Sequence, residues 1–174
     1  MNNNNNEIQS IIDTINSQKN FDIIFFKNLS TELRNNYDIV FTAVSNYPYS
    51  LELASKELKN NEKIVLTAVS NCSSSLAYAS PELRNNKDIV LVAVAKDAFS
   101  FQYASDELQN NLETLRVYKK FHELPKNHIS NYDDNDYQQF YDERIKALNI
   151  LEEQDWLDKN VHSHIQTKTK PQKF

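Results

Sequence analysis

The chain repeats itself every 25 residues, and few folds tolerate that. Ser30, Ser55, Ser80 and Ser105 stand at this spacing, as do Glu32, Glu57, Glu82 and Glu107, and then Leu33, Leu58, Leu83 and Leu108. After each Leu come a basic or amide residue and two Asn, as in Arg34, Asn35, Asn36 and in Arg84, Asn85, Asn86. Three copies continue with Ile-Val, two variable residues and Ala-Val: Ile39, Val40, Ala43, Val44; Ile64, Val65, Ala68, Val69; Ile89, Val90, Ala93, Val94. A self-similar period of about 20–50 residues marks a solenoid or array, in which a unit that cannot bury its own apolar face has it covered by its neighbours.

The run from Ile64 to Val69 is apolar and of strand length, so its own periodicity does not decide between helix and strand. Its flanks do. Ser80, Pro81 and Glu82 supply a capping hydroxyl, a proline whose missing N–H is not needed at the first helical position, and a carboxylate facing the positive helix end. Asn36, Asn61 and Asn86, followed by Asp38, Glu62 and Asp88, read as a second helix start in each copy. At ~100° per residue the Ile, Val, Ala and Val columns form a stripe about 140° wide, whereas a strand would put adjacent Ile and Val on opposite faces. Between this stripe and the next Ser lie i, i+3 apolar pairs, Leu51/Ala54, Leu76/Ala79 and Phe101/Ala104, which suit one or two helical turns. A leucine-rich strand-and-helix solenoid is the alternative, and the chain lacks its Leu-x-x-Leu-x-Leu ladder. The expectation is an all-α helical repeat, an α-solenoid-like array of about three 25-residue units with a C-terminal helical extension.

The stretch LAYASPELRNNKDIVLVAV, Leu76 to Val94, resembles copies of the tandem-repeat family catalogued as domain of unknown function 4116, which read roughly ALxYASxELRxDxxxVLxAVxxxG. The resemblance runs from Phe26 to about Asn111. Where the family carries Gly after the Ala-Val helix this chain carries Pro48, Ser73 and Ala98, so the turn there must close differently. The resemblance implies a helical repeat and brings no assigned activity. Copies in proteins of host-associated microbes, protists and large viruses imply interaction work.

The ends differ from the middle, as terminal repeats do when one face meets water. Residues 1–20 read as a flexible Asn-rich start and a capping helix with Ile8, Ile11, Ile12 and Ile15 on one face. The tandem repeats occupy 21–111. In 112–160 a degenerate capping helix with Leu112, Leu115, Tyr118 and Phe121 leads through a polar loop to a long amphipathic helix with Tyr137, Tyr141, Ile145 and Leu148 as its spine. Residues 161–174 read as a disordered basic tail.

Composition excludes several chemistries. The chain has no Gly, so neither phosphate-cradling loop built on glycine can be written, and left-handed turn positions should fall to Asn or Asp. A net charge of −5 with scattered Lys and Arg argues against direct nucleic-acid binding. A single Cys, Cys72, makes no internal disulfide, and no signal-like or membrane-length apolar stretch is present, so a cytoplasmic protein, or one exported without a recognisable signal, is expected, with no membrane partner.

No catalytic, cofactor or metal residues are assigned. His162 and His164 lack further zinc ligands, and His122 and His128 have no acid or nucleophile at useful spacing. Asn131 to Asp142 faintly echoes a calcium loop but has Asp136 where the turn glycine belongs. The Glu column sits at about 10 Å per copy, too far apart to share a proton, and suits helix starts. Columns that vary from copy to copy are free for recognition, and the aromatic residues among them or on the extension, Tyr37, Tyr47, Tyr49, Phe99, Tyr141 and Trp156, are the candidate partner-binding residues. The expected function is a non-enzymatic protein–protein interaction module, monomeric or weakly dimeric. Structural self-association, or blocking a nucleic-acid-handling protein with acidic surface, are the alternatives.

Overall fold

The computed structural model describes residues 2–17, 23–122 and 134–168, and among these there is no strand. The chain divides into two compact units, Met1–Leu108 and Gln109–Phe174.

The first unit opens with α1 (Asn2–Ser17) and α2 (Ile23–Asn28). Each repeat then has three segments. A ten-residue helix comes first: α3 (Tyr37–Asn46), α5 (Glu62–Asn71) or α7 (Lys87–Lys96). A six-residue 3-10 helix follows, Pro48–Leu53, Ser73–Tyr78 or Ala98–Tyr103. A four-residue helical turn enters the next copy: α4 (Lys56–Lys59), α6 (Pro81–Arg84) or α8 (Asp106–Gln109). The equivalent turn of the first copy is a 3-10 turn, Leu33–Asn35.

Packing follows the columns. Ile39, Val40, Ala43 and Val44 and their equivalents on α5 and α7 are all at most 1% exposed. Burying each such Val or Ile contributes roughly 1.5–3 kcal/mol, and the Ala column lets neighbouring helices approach closely. Each long helix packs on its own 3-10 segment, α5 and α7 pack also on the preceding one, α3 packs on α5 and α5 on α7, and the 3-10 segments pack on one another. Leu51, Leu76 and Phe101, fully buried, pair with Ala54, Ala79 and Ala104 at i, i+3, the spacing at which 3-10 side chains eclipse. These 3-10 runs are longer than the usual three or four residues, and the repeated pair explains them: both anchors stay on one edge.

The turns close without left-handed backbone, contrary to the expectation that Asn or Asp would supply it. Tyr47, Cys72 and Asp97 end the long helices at φ of −138°, −141° and −152°. Each gives its N–H to the Ala carbonyl four residues back, and Pro48, Ser73 or Ala98 then starts the 3-10 segment. No residue at these junctions needs the freedom of glycine.

The paired Asn residues have different tasks. The second of each pair caps the long helix: Asn36, Asn61 and Asn86 accept from Ile39, Ile64 and Ile89 N–H. The first binds the following copy. Ser55 Oγ donates to Asn35 Oδ1 and Ser80 Oγ to Asn60 Oδ1, both at 2.6 Å, and Ser105 bonds Asn85 likewise. Each Ser also caps its own turn, accepting from Leu58, Leu83 or Leu108 N–H at 3.2 Å. Its backbone N–H reaches the carbonyl of Arg34, Lys59 or Arg84 in the preceding copy. A second ladder runs along the helix ends, where Asn71 Nδ2 and Lys96 Nζ donate to the carbonyls of Ser45 and Ser70.

At the N-terminal end α1 packs on α3 through Ile11 and Ile15. The Asn run belongs to this helix from Asn2 onward, where the sequence suggested a flexible start. In the second unit α9 (Leu112–His122) packs on α10 (Asp134–Lys168), with Leu115, Tyr118 and Leu148 buried. The helix α10 continues to Lys168, through residues 161–168 that the sequence reading gave to a disordered tail. Extending a helix past a formed nucleus gains one hydrogen bond per residue fixed, so polar residues at either end are carried along.

Candidate functional site

Within the first unit the candidate aromatic residues lie on different segments of the repeat. Tyr37 begins α3, is 36% exposed and stacks on Phe41 with ring centroids 5.8 Å apart. Tyr47 ends the same helix, half-buried and about 15 Å along the axis at 1.5 Å per residue. Tyr49, on the 3-10 layer, is 47% exposed and meets Tyr78 edge-on at 6.2 Å. Phe99 is half-buried on the equivalent segment of the third copy. In the second unit Tyr141 lies against Tyr118, centroids 6.1 Å apart, and Trp156 is 62% exposed.

Two surfaces of the repeat unit emerge instead. The first is a row on the outer side of the long helices. Phe41, Leu66 and Leu91 occupy one position in successive copies, and each is only partly covered, Leu66 remaining 38% exposed. Tyr37, stacked on Phe41, extends the row, and Lys63 Nζ lies 5.3 Å from the Phe41 ring centroid. This position is apolar in all three copies although it lies outside the buried Ile-Val-Ala-Val stripe.

The second is a groove of about 710 Å³ between α4 and the chain from Ala77 to Glu82. Tyr78 forms part of its wall. Burial, then the charge of Glu52 and a hydrogen bond to it, raise this phenol above its ordinary value, so it stays protonated. Lys56 and Lys59 contribute from α4, and neither has an ion-pair partner among the described residues. Glu57 and Glu82 also line the groove. Their carboxyls are held below the ordinary glutamate range, first by their own backbone N–H groups. Sequence reasoning missed Tyr78, Lys56 and Lys59, because only the fold sets α4 beside the following copy's extended linker.

No described group of three or more His, Cys, Asp or Glu stands where it could hold a metal. Residues 131–133 and the side chains of His122, His128, His162 and His164 lie outside the described residues. Asp134–Asp142 is helix, so the faint calcium-loop pattern there is not a loop. No described helix is long and apolar enough to cross a membrane.

Against known families, the model described as Domain of unknown function (DUF4116) matches residues 18–59 and 61–109 as two adjacent copies, just over half of the chain. The chain belongs to this family. The matched region carries the stacked repeats and both surfaces described above, so a DUF4116 array here is a three-segment helical unit linked copy to copy by Ser–Asn bonds. No curated protein and no solved structure matches the chain.

Proposed function

We propose that this DUF4116 array is a protein-interaction module without chemistry of its own. The observation that carries the reading is the outer row. The Ile-Val-Ala-Val stripe supplies the core, and the Ser–Asn bonds join the copies. Neither requires a large apolar side chain at Phe41, Leu66 and Leu91, yet all three copies place one there, partly in water. Adjacent partly exposed apolar side chains with aromatic neighbours are the composition of an interface core. The lone free Cys72 suits a reducing compartment, and this reading takes the cytoplasm as its place of work.

The test replaces Leu66 with Ser in the full chain and compares it with Val65→Ser. Leu66→Ser should cost about 1–2 kcal/mol without loss of the cooperative fold and abolish retention of a partner identified on the intact chain, whereas Val65→Ser should unfold it. Undiminished retention by Leu66→Ser, Phe41→Ser and Leu91→Ser alike would reject the row as the interface.

Self-association is the second reading, favoured by Ile150, Trp156 and Leu157 on α10, which are 59%, 62% and 40% exposed. Tyr141 and Leu148 are engaged within their own unit, so a dimer would use the exposed set. Sedimentation of Trp156→Ala against the unaltered chain decides it: a concentration-dependent dimer lost in the variant supports the reading, and a monomer at all concentrations removes it.

A further inference from the structure

We infer that the first copy of the array carries an open socket, at Ser30, Glu32 and Leu33, which takes a helical turn ending in a basic residue and Asn from a repeat array on another protein. This surface is separate from the outer row, so the two can fail independently.

The molecule shows three times what fills such a socket. At each junction between copies the Ser backbone N–H donates to the carbonyl of Arg34, Lys59 or Arg84, at 3.2, 2.9 and 2.9 Å, and the Ser hydroxyl donates to the Asn that follows. At the last junction that Asn returns a bond, from Asn85 Nδ2 to Glu107 Oε2 at 3.0 Å. A turn ending in a cation and Asn is thus met by an N–H, a hydroxyl and a carboxylate of the next copy.

The first copy has the same three groups and nothing fills them. Ser30, Glu32 and Leu33 stand in the same columns, and Ser30 Oγ caps Leu33 N–H at 3.2 Å as Ser80 caps Leu83. Among the described residues neither the Ser30 N–H nor its hydroxyl finds an acceptor, and Glu32 has no side-chain bond or ion pair. The N-terminal helix replaces only half of a preceding copy. It stands in for the long helix, packing on α3 and accepting from Asn46 Nδ2 at Asn16 Oδ1, 3.2 Å, much as Asn71 and Lys96 reach back along the later helix ends. It does not supply the turn, because the positions 25 before Arg34 and Asn35 are Gln9 and Ser10, inside α1.

A cleft of about 160 Å³ is left there, lined by Ser30, Glu32, Leu33 and Asn36 and walled by Glu7 and Ile8 of α1. That is below the roughly 300–1,000 Å³ of small-molecule sites and suits one or two side chains. Charge selects among them. Glu7 and Glu32 are the ionisable residues of the lining, both exposed and neither ion-paired among the described residues, and no cation lines the cleft. An arriving Arg or Lys gains two carboxylates, with Ile8 and Leu33 beside its stem, whereas an acidic segment is repelled. The last turn of this chain's own array does not match: it ends in uncharged Gln109, which is 9% exposed and bonded to Arg144 Nη1 at 3.3 Å.

The experiment titrates the isotope-labelled full chain with a peptide whose helix is fixed by a lactam bridge and whose last six residues repeat Pro81 to Asn86. Two altered peptides carry Glu in place of the Arg, or Ala in place of the first Asn. The parent peptide should move the amide signals of Ser30, Glu32 and Leu33 and bind about tenfold more tightly than either altered one. The charge-reversed pair Glu7→Lys and Glu32→Lys should weaken the parent peptide by on the order of tenfold and restore binding of the peptide that carries Glu, a rescue that mere loss of structure would not give. Equal binding of the three peptides, signals moving at Ser55 or Ser80 instead, or absence of the rescue would overturn the inference. Concentration-dependent oligomers of the unaltered chain that the same charge reversal dissolves would make the occupant a second copy and overturn it equally. If the peptides fail while Leu66→Ser still abolishes partner retention, this inference falls and the outer row stands; if the peptides bind while the outer row is silent, the reverse holds.

Discussion

Ser80 makes three bonds, and truncation to Ala removes two of them. Its backbone N–H keeps the Lys59 carbonyl at 2.9 Å, but the hydroxyl no longer accepts from Leu83 N–H or donates to Asn60 Oδ1. Losing the cap costs about 1 kcal/mol, and losing a part-exposed bond between copies about 0.5–1 kcal/mol more, so Ser80→Ala should cost about 1.5–2 kcal/mol. Two further variants separate these contributions. Ser80→Asp keeps an acceptor for the cap and cannot donate to Asn60, so only about 0.5–1 kcal/mol should be lost. Asn60→Ala leaves the Ser80 cap and should lose a similar amount. Combining Asn60→Ala with Ser80→Ala should then cost less than the sum of the two, by the value of the shared bond. Urea unfolding followed by helical circular dichroism measures all four chains, with a common denaturant slope. Full stability of Ser80→Asp together with strict additivity of the double variant would refute the argument that this hydroxyl joins one copy to the last.

Other positions give sharper signs than sizes. The Ser50, Ser75 and Ser100 hydroxyls are buried with no hydrogen-bond partner among the described residues, so Ser75→Ala should be neutral or stabilising; a loss above about 1 kcal/mol in urea would contradict this. Glu57 and Glu82 titrate below the ordinary glutamate value in the fold, so the stability they contribute is present above that ordinary value and lost as pH falls through their folded values. The double variant Glu57→Gln, Glu82→Gln should therefore flatten the acid limb of the urea midpoint, and an unchanged limb would count against their role. Leu148→Asp buries a charge at a site 1% exposed and should disrupt the second unit, whereas Trp156→Ala should shift stability by less than about 0.5 kcal/mol; thermal unfolding of the two variants reads the contrast.

Much of the fold was legible because its signals are local. A capping Ser three residues before a buried Leu, or an Asn three before an Ile, can be read within one turn of chain, and both caps stand as read. The four-column stripe on α5 was legible for the same reason, since its period lies inside ten residues. The Ser–Asn bond was not, because its partners are 20 residues apart and belong to different copies; only stacking makes them neighbours. The 3-10 character of Ser73–Tyr78 also escaped, since an i, i+3 pair such as Leu76 and Ala79 fits an α turn as well. A serine column gives no core signal, so burial of Ser75 could not be anticipated from residue type. The aromatic candidates were chosen for variability, a property that says which positions are free and not which are adjacent, and Tyr78 became visible only through its contact with Tyr49.

The most direct test of the array itself is to insert a second copy of Ser55 to Ala79 after Ala79 and measure urea unfolding. A 25-residue insertion keeps every column in register, so each Ser again faces the Asn 20 residues before it. The extended chain should fold, show more helix, and unfold cooperatively with a steeper denaturant slope and a midpoint at least as high, as a nearest-neighbour stack requires. Aggregation, or loss of the cooperative transition, would mean that the 25-residue copy is not the unit from which this fold is built.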